Sequence, residues 1–188
     1  MANLFYVIGA SGAGKDSLID YLRGKLPGDA AVVIAHRYIT RPADAGGENH
    51  VALSKQEFLL RRQQACFAMH WFSHDTHYGI GTEINQWLAR GLDVVINGSR
   101  AYLNEAAQGY PNLVPVLISV NPEVLRERLR GRGREDEEQI SRRLHQAIQL
   151  EQEVRHPGLL KLENNARLQD AGDNLLNIIL HRDREKCA

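Results

Sequence analysis

Leu4-Phe5-Tyr6-Val7-Ile8 runs directly into Gly9-Ala10-Ser11-Gly12-Ala13-Gly14-Lys15-Asp16, after which Leu18, Ile19, Leu22 and Leu26 recur at helical spacing. An apolar run, a glycine-rich turn and an amphipathic stretch read as strand, loop and helix, the setting of a phosphate-binding loop. Glycines let successive backbone N–H groups curl around an anion, and the helix N-terminus adds partial positive charge. Lys15 adds a full charge within reach of the outer phosphates of a nucleotide. One position departs from the usual motif. A Ser or Thr hydroxyl that ligates Mg²⁺ normally follows the lysine, and here it is Asp16, still a hard oxygen ligand but a charged one. Gly9, Ala10, Ser11, Gly12, Ala13, Gly14, Lys15, Asp16 and Ser17 are therefore the expected nucleotide-binding residues, with Asp16 as the metal ligand.

The 188 residues suit one domain with a substantial core, and 43% apolar against 24% charged content is ordinary for a globular protein. A formal net charge of zero leaves no global field for nucleic acid or an anionic membrane. Cys66 and Cys187 lie far apart with no metal-ligand spacing, which favours reduced thiols in a cytoplasmic protein. Met1-Ala2-Asn3 has no basic character and only five apolar residues follow, so no signal peptide is expected. No stretch approaches the roughly 20 apolar residues of a spanning helix.

Outward from the loop, strand and helix signals alternate. Val32 to Ala35 reads as a strand, followed by Arg37 to Pro42 and a Gly/Asp-rich loop through Asn49. Ser54-Lys55-Gln56-Glu57 is a capping box, with Leu53 and Phe58 placed as a hydrophobic staple. Phe67 to Phe72 reads as a strand and Tyr78-Gly79-Ile80-Gly81 as a turn. Ile84, Trp87 and Leu88 give a helix face that ends at Gly91. Leu92 to Ile96 and Val114 to Val120 read as buried strands, the latter with an irregular start at Pro115. Asn121 caps a helix with Pro122 at its first position. Ile140, Leu144 and Ile148 mark another helix, Leu159 to Leu162 a short strand, and Leu168 to Ile179 a last helix. The alternation predicts an α/β domain with a parallel sheet core and helices on both faces.

A second basic cluster runs from Arg126 to Arg134, with Arg142-Arg143 beyond it. Arg126 and Arg130 read as a solvated helix face. Arg132 and Arg134 differ, because Gly131 and Gly133 break the helix around them. Arginines on a glycine-hinged segment fit a mobile lid that neutralises a transferring phosphoryl group. Lys15, Arg132 and Arg143 are the expected catalytic residues, with Arg132 also contacting the nucleotide. His70, His74 and His77 lack the further ligands of a metal site and fit a substrate-facing loop or plain surface.

The loop Gly9–Lys15, the Thr40-Arg41 turn, Tyr78-Gly79, Gly131-Arg132-Gly133 and Arg142-Arg143-Leu144 together resemble guanylate kinases, in order and over nearly the whole chain. The closer resemblance is to the ribose 1,5-bisphosphate phosphokinases of phosphonate utilisation. It is carried by Gly14-Lys15-Asp16-Ser17, His36 to Arg41, Glu48-Asn49-His50, Tyr78-Gly79 and Val95 to Arg100. The resemblance implies a single P-loop domain over 1–188 like the nucleoside monophosphate kinases, with an acceptor-binding insertion over about 36–90 and a lid over about 126–143. It implies ATP and Mg²⁺ and a small sugar bisphosphate as acceptor, while the sequence leaves the oligomeric state open between monomer and homodimer. Asn164-Asn165 lies where guanylate kinases carry an Asn-Asp pair beside the adenine, though an ordinary turn would look the same.

Departures from guanylate kinase bear on the acceptor. Guanine presents N1–H and an exocyclic amine, which those enzymes answer with acidic side chains. Here the matching places hold Met69-His70 and Asn97-Gly98-Ser99. A tyrosine that helps hold the nucleotide phosphate is replaced by His50, and the second arginine of the phosphate turn is missing near Asp44. A guanine reader without its acceptors would leave donors unpaired, and sites of that kind discriminate by about 10⁴–10⁵. What remains suits a sugar phosphate: Arg37, Arg41, His50, Tyr78 and Arg100 for phosphates, Asn97 and Ser99 for hydroxyls. Arg41 matches the shared turn, whereas Arg37 and Arg100 fit either a substrate contact or a surface charge. The competing readings are a guanylate or other nucleoside monophosphate kinase, and a binding module that has lost catalysis. Intact Gly14-Lys15 and lid arginines weigh against the last.

Overall fold

The computed structural model describes residues 2–45, 47–133 and 136–181, and the side chains of Arg132 and Leu150 lie outside that description. The chain opens with β1 (Leu4–Gly9), α1 (Lys15–Lys25), β2 (Val32–Ile34), β3 (Arg37–Ile39) and β4 (Val51–Ala52). It continues through α2 (Lys55–Gln63), the strands β5 (Phe67–Ser73) and β6 (Thr76–Gly81), α3 (Glu83–Ala89) and β7 (Asp93–Asn97). A 3-10 turn (Arg100–Tyr102), α4 (Leu103–Gly109), β8 (Leu113–Ser119), α5 (Pro122–Arg132), α6 (Glu137–Glu153), β9 (Leu160–Glu163) and α7 (Leu168–His181) complete it. Residues 1–6 with 26–114 form one compact unit, and residues 7–25 with 115–188 a second.

In the first unit the main-sheet strands run in the order β2-β7-β1. β2 and β7 are parallel, with Val32 opposite Asp93 and Ile34 opposite Val95. A four-stranded sheet, order β4-β3-β6-β5, belongs to the same unit. Its β3–β6 and β5–β6 pairs are antiparallel, and only β3–β4 is parallel. The antiparallel pairing corrects one expectation. Tyr78-Gly79-Ile80-Gly81 is not a turn but the second half of β6. The reversal lies earlier, at His74 and Asp75, whose φ values of 48° and 55° are the left-handed pair of a tight hairpin. Gly79 serves packing, since a Cβ there would lie 2.7 Å from the Phe67 ring. Phe67 in turn stacks on Phe58 of α2 with centroids 4.6 Å apart, which seats that helix on the sheet. Ser54 caps α2 as expected, its Oγ accepting from the Glu57 N–H at 3.1 Å. Glu57 itself holds Arg61 by a charged contact of 2.6 Å.

In the second unit the order is β1-β8-β9, with β8 and β9 parallel and Val116 opposite Leu160. Pro115 lies within β8, which is buried along its length, so no irregular start is needed. α1 and α7 pack together, and Gly172 allows it: a Cβ there would lie 2.3 Å from the Tyr21 ring. α5 is capped by Asn121, whose Oδ1 accepts from the Glu123 N–H at 3.0 Å, with Pro122 in the first turn. Gly131 does not break this helix. α5 runs on to Arg132 and stops at Gly133, whose φ of 61° is the left-handed C-cap. A glycine costs a helix only about 1 kcal/mol, and tertiary packing of Leu125 and Leu129 outweighs that. Arg134 lies outside the described residues, as does Glu135. Along α6, Ile140 and Leu144 are buried while Ile148 is 40% exposed, so the apolar stripe ends a turn sooner than its spacing suggests.

β7 ends on the candidate residue Asn97, the turn after it carries Ser99 and Arg100, and a tyrosine from β1 fixes that turn within the first unit. Tyr6 Oη donates to the Ser99 carbonyl at 2.9 Å and accepts from the Ser99 N–H at 3.0 Å. Burial pushes the Tyr6 phenol up, so it keeps the proton it donates. Gly98 must be glycine, because a Cβ would lie 2.2 Å from the Tyr6 ring. Tyr6→Phe should therefore lower stability by about 1–3 kcal/mol through the orphaned Ser99 groups. Urea unfolding would read this as a lower midpoint at unchanged slope.

Candidate active site

In the second unit the loop between β1 and α1 wraps in the manner a phosphate requires. Gly12 and Gly14 have φ values of 91° and 89°, a region side chains rarely enter. Contacts reinforce the demand: a Cβ on Gly12 would lie 2.9 Å from Leu125, and one on Gly14 2.5 Å from the Asn164 amide. Lys15 folds back over the loop, its Nζ donating to the Gly9 carbonyl at 3.0 Å and the Ala10 carbonyl at 3.1 Å. Both carbonyls are weak holds for an ammonium group beside an incoming phosphate, so the lysine is poised for exchange. Ser11 and Ser17 are exposed, and Asp16 is half-buried in the first turn of α1, where a carboxylate suits the helix dipole.

The basic helices close on this loop. Leu125, Leu129, Ile140 and Leu144 form a buried cluster against which Ala10 packs. That packing brings Arg143 Nη1 to donate to Ser11 Oγ at 3.0 Å. It also brings Arg128 beside Gly14, a guanidinium nitrogen lying 4.0 Å from where a Cβ would be. Sequence reasoning passed over Arg128. The signal available was its helical register with Leu125 and Leu129, one residue off the buried stripe. Arg130 bonds Glu137 through two contacts of 2.6 and 2.8 Å and is exposed, as a solvated helix face should be. Arg132 ends α5, its side chain outside the description.

Asn164 and Asn165 have structural partners in place. Asn164 is 2% exposed, and its Nδ2 donates to the Ala13 carbonyl at 2.8 Å. Its buried Oδ1 has no hydrogen-bond partner among the described residues. Asn165 Oδ1 accepts from the Asn121 N–H at 2.7 Å, tying the turn after β9 to the start of α5. Thus Asn164 props the phosphate loop from below. Asn164→Ala should cost about 1–3 kcal/mol in unfolding free energy. It should also weaken nucleotide binding measured by calorimetry, whereas an unchanged affinity would make the prop dispensable.

The other candidates gather in the first unit. Arg37 and Glu48 form a largely buried ion pair, side chains 13% and 10% exposed, with Arg37 Nε donating to Glu48 Oε1 at 2.7 Å. Asn97, 4% exposed, donates from Nδ2 to Glu48 Oε2 at 3.4 Å. The Arg37 guanidinium lies over the Tyr78 ring at 5.0 Å, and Tyr78 stacks on Trp71 at 5.7 Å with planes 6° apart. Arg37 is thus not a loose surface charge. Glu48 entered the sequence reading only within the Glu48-Asn49-His50 motif, with no role given to it, and Trp71 was not singled out, since a carboxylate in a polar loop and a tryptophan in a strand carry no local signature. Arg41 lines a cavity of about 580 Å³ with Thr40, Lys55, Phe72 and His77, and its Nε is buried without a partner among the described residues. Burial, with Lys55 and Arg62 nearby, holds His77 below the usual imidazole range.

His50 is placed differently from a phosphate reader. It is 8% exposed, its Nδ1 lies 3.0 Å from the Glu48 carbonyl and its Nε2 3.1 Å from the Arg41 carbonyl. Both ring nitrogens lie within hydrogen-bond distance of backbone carbonyls, and the ring, donating to either one according to its tautomer, ties the 41–50 loop together. Ser99 is held through its backbone by Tyr6, which leaves its hydroxyl available, and Arg100 begins the 3-10 turn. Among the described residues no group of three or more His, Cys, Asp or Glu side chains could hold a metal ion. A cation here would depend on Asp16 together with substrate phosphates, the usual arrangement for Mg²⁺.

The family model for guanylate kinase matches residues 1–181. A solved guanylate kinase from Anaplasma phagocytophilum superposes with a TM-score of 0.69 at 16% identity, covering 95% of this chain and 84% of that one. Much closer in sequence is a protein of Thiobacillus denitrificans named ribose 1,5-bisphosphate phosphokinase PhnN, 55% identical over 98% of this chain and 96% of its own. Proteins of the same name from Desulfomicrobium baculatum and Yersinia pestis are each 52% identical, the first over 96% of this chain and 95% of its own, the second over 95% and 92%. No helix among the described residues is long and apolar enough to cross a membrane. The fold, the phosphate loop and these matches agree: the chain belongs to the guanylate kinase family, in the branch of the ribose 1,5-bisphosphate phosphokinases.

Proposed function

We propose that the protein transfers the γ-phosphoryl group of ATP to ribose 1,5-bisphosphate, giving 5-phosphoribosyl 1-diphosphate and ADP in phosphonate catabolism. An oxygen of the acceptor's 1-phosphate bonds to the γ-phosphorus, and the bond from that phosphorus to the β–γ bridging oxygen breaks as ADP leaves. A phosphate monoester has a second pKa near 6 and is largely dianionic at neutral pH, so no general base is required. Catalysis then rests on positioning and charge neutralisation. Backbone N–H groups of the Gly9–Lys15 loop, apart from that of Ala13, which bonds the Ala10 carbonyl, would cradle the donor phosphates with Ser11 and Ser17. Lys15 would exchange its carbonyl partners for phosphate oxygens, and Arg143 and Arg132, with Arg128 beside Gly14, would meet the charge that builds on the transferring group. Mg²⁺, when bound with ATP, neutralises phosphate charge, and Asp16 would help to hold it. Arg41, Tyr78, Ser99 and Arg100 would receive the acceptor. The reading makes the protein a cytoplasmic enzyme acting on small molecules, with no nucleic acid or membrane partner.

The observation that carries this reading is the breadth of the match to relatives of that name, which leaves almost no part of the chain unaccounted for. The chemistry of the acceptor region supports it, because Met69 is 2% exposed and Asn97 is an amide at the places where guanine needs carboxylates. With ATP and each of ribose 1,5-bisphosphate, ribose 5-phosphate, GMP and AMP assayed in parallel, ribose 1,5-bisphosphate should lead GMP in kcat/KM by about 10³ or more. A preference for GMP would refute it. Asp16→Ala should weaken Mg·ATP binding by on the order of 10–100-fold and improve binding of metal-free ATP, since the carboxylate repels bare polyphosphate. Calorimetry with and without Mg²⁺ separates the two, and an unchanged metal dependence would turn Asp16 away from the metal.

A further inference from the structure

Glu48 is an acidic side chain built into the cluster around Arg37, and its near-complete removal from water calls for a reason. Removing a carboxylate from water costs several kcal/mol, and a buried ion pair is seldom more stable than the apolar residues that could replace it. Here the cost is borne in a polar loop, with the carboxylate 10% exposed and set against Arg37 and the buried Asn97. The charges of Arg37 and Glu48 cancel. A dianionic phosphate placed at this pair would meet the attraction of one and the repulsion of the other, so the pair is a poor phosphate clamp. Arg41 suits that task better, its guanidinium half-buried beside the cavity with Nε unpartnered among the described residues.

A carboxylate offers about four acceptor positions. Arg37 takes one on each oxygen, and Asn97 approaches Oε2 at a long 3.4 Å. Acceptor capacity therefore remains on a group that has been oriented from one edge and cannot donate. The natural complement is a hydroxyl that must donate, and an acidic side chain reading a ribose hydroxyl is a recurrent solution in nucleotide-binding folds. Arg37 is locked in turn by the Tyr78 ring at 5.0 Å, and Tyr78 by Trp71, so the carboxylate is held on a stacked support.

We infer that Glu48 is a specificity-determining residue that accepts a hydrogen bond from the cis 2,3-diol of the acceptor ribose, with Arg37 and Asn97 holding it in place. This assignment rests on the acceptor proposed above. It changes the part played by Arg37, from phosphate ligand to counter-ion of the hydroxyl reader. It assigns Glu48 no proton transfer, because the attacking oxygen belongs to a phosphate.

The test compares kcat/KM for ribose 1,5-bisphosphate with that for its 2-deoxy and 3-deoxy analogues, in the wild type, in Glu48→Gln and in the double variant Arg37→Gln/Glu48→Gln. Wild type should prefer the full diol over at least one analogue by about 10- to 100-fold, the weight of one hydrogen bond to a charged group. In Glu48→Gln the preference should fall to about fivefold or less, the weight of one neutral hydrogen bond, while the KM for ATP stays near the wild-type value. The double variant leaves no uncompensated charge and should show the same loss if the single variant folds poorly. Since the preference is a ratio within one preparation, misfolding alone cannot move it. A preference kept in both variants, or missing from the wild type, overturns the assignment. Failure of the wild type to turn over any of the three sugars overturns the acceptor reading instead, and this inference with it.

Discussion

Close contact at the phosphate loop governs the second unit. Gly12 and Gly14 hold left-handed φ values while Leu125 and the Asn164 amide press where their Cβ atoms would be. The loop is thus shaped from outside as well as by its own glycines. Asn164 occupies the Ala13 carbonyl on one side, and the apolar cluster of α5 and α6 packs against Ala10 on another. A phosphate bound as proposed would meet a loop whose shape is already set, and such preorganisation is where electrostatic stabilisation is most effective.

The same packing couples loop and basic helices. Arg143 reaches Ser11 because Ile140 and Leu144, on the same helix, bury against the cluster that holds Ala10. An apolar contact here sets the position of a charge.

In the first unit the organising constraint is polar. Tyr6 fixes the turn after β7 through both backbone groups of Ser99, and Glu48 joins the 41–50 loop to β3 and to Asn97. His50 closes the loop on itself through two carbonyls. Polar locks of this kind specify one arrangement of a loop that has few apolar residues to bury, and the cost of desolvation is offset only when every partner is in place.

Local physics made much of this legible from the amino-acid order. The phosphate loop, its flanking strand and helix, the caps at Ser54 and Asn121 and the left-handed Gly133 follow from rules that act within a few residues. Other features depended on partners distant in sequence. Gly79 looks like a turn residue, yet it lies in a strand, where the Phe67 ring occupies the room its side chain would take. His50 and Asn164 are plausible ligand contacts by type, but backbone carbonyls reached only in the folded chain engage them. Glu48 shows the division best: its chemistry was visible as one carboxylate among many. Its burial between Arg37 and Asn97, 11 and 49 positions away, arises only when strand and loop close on each other, because desolvation and pairing are properties of tertiary neighbours.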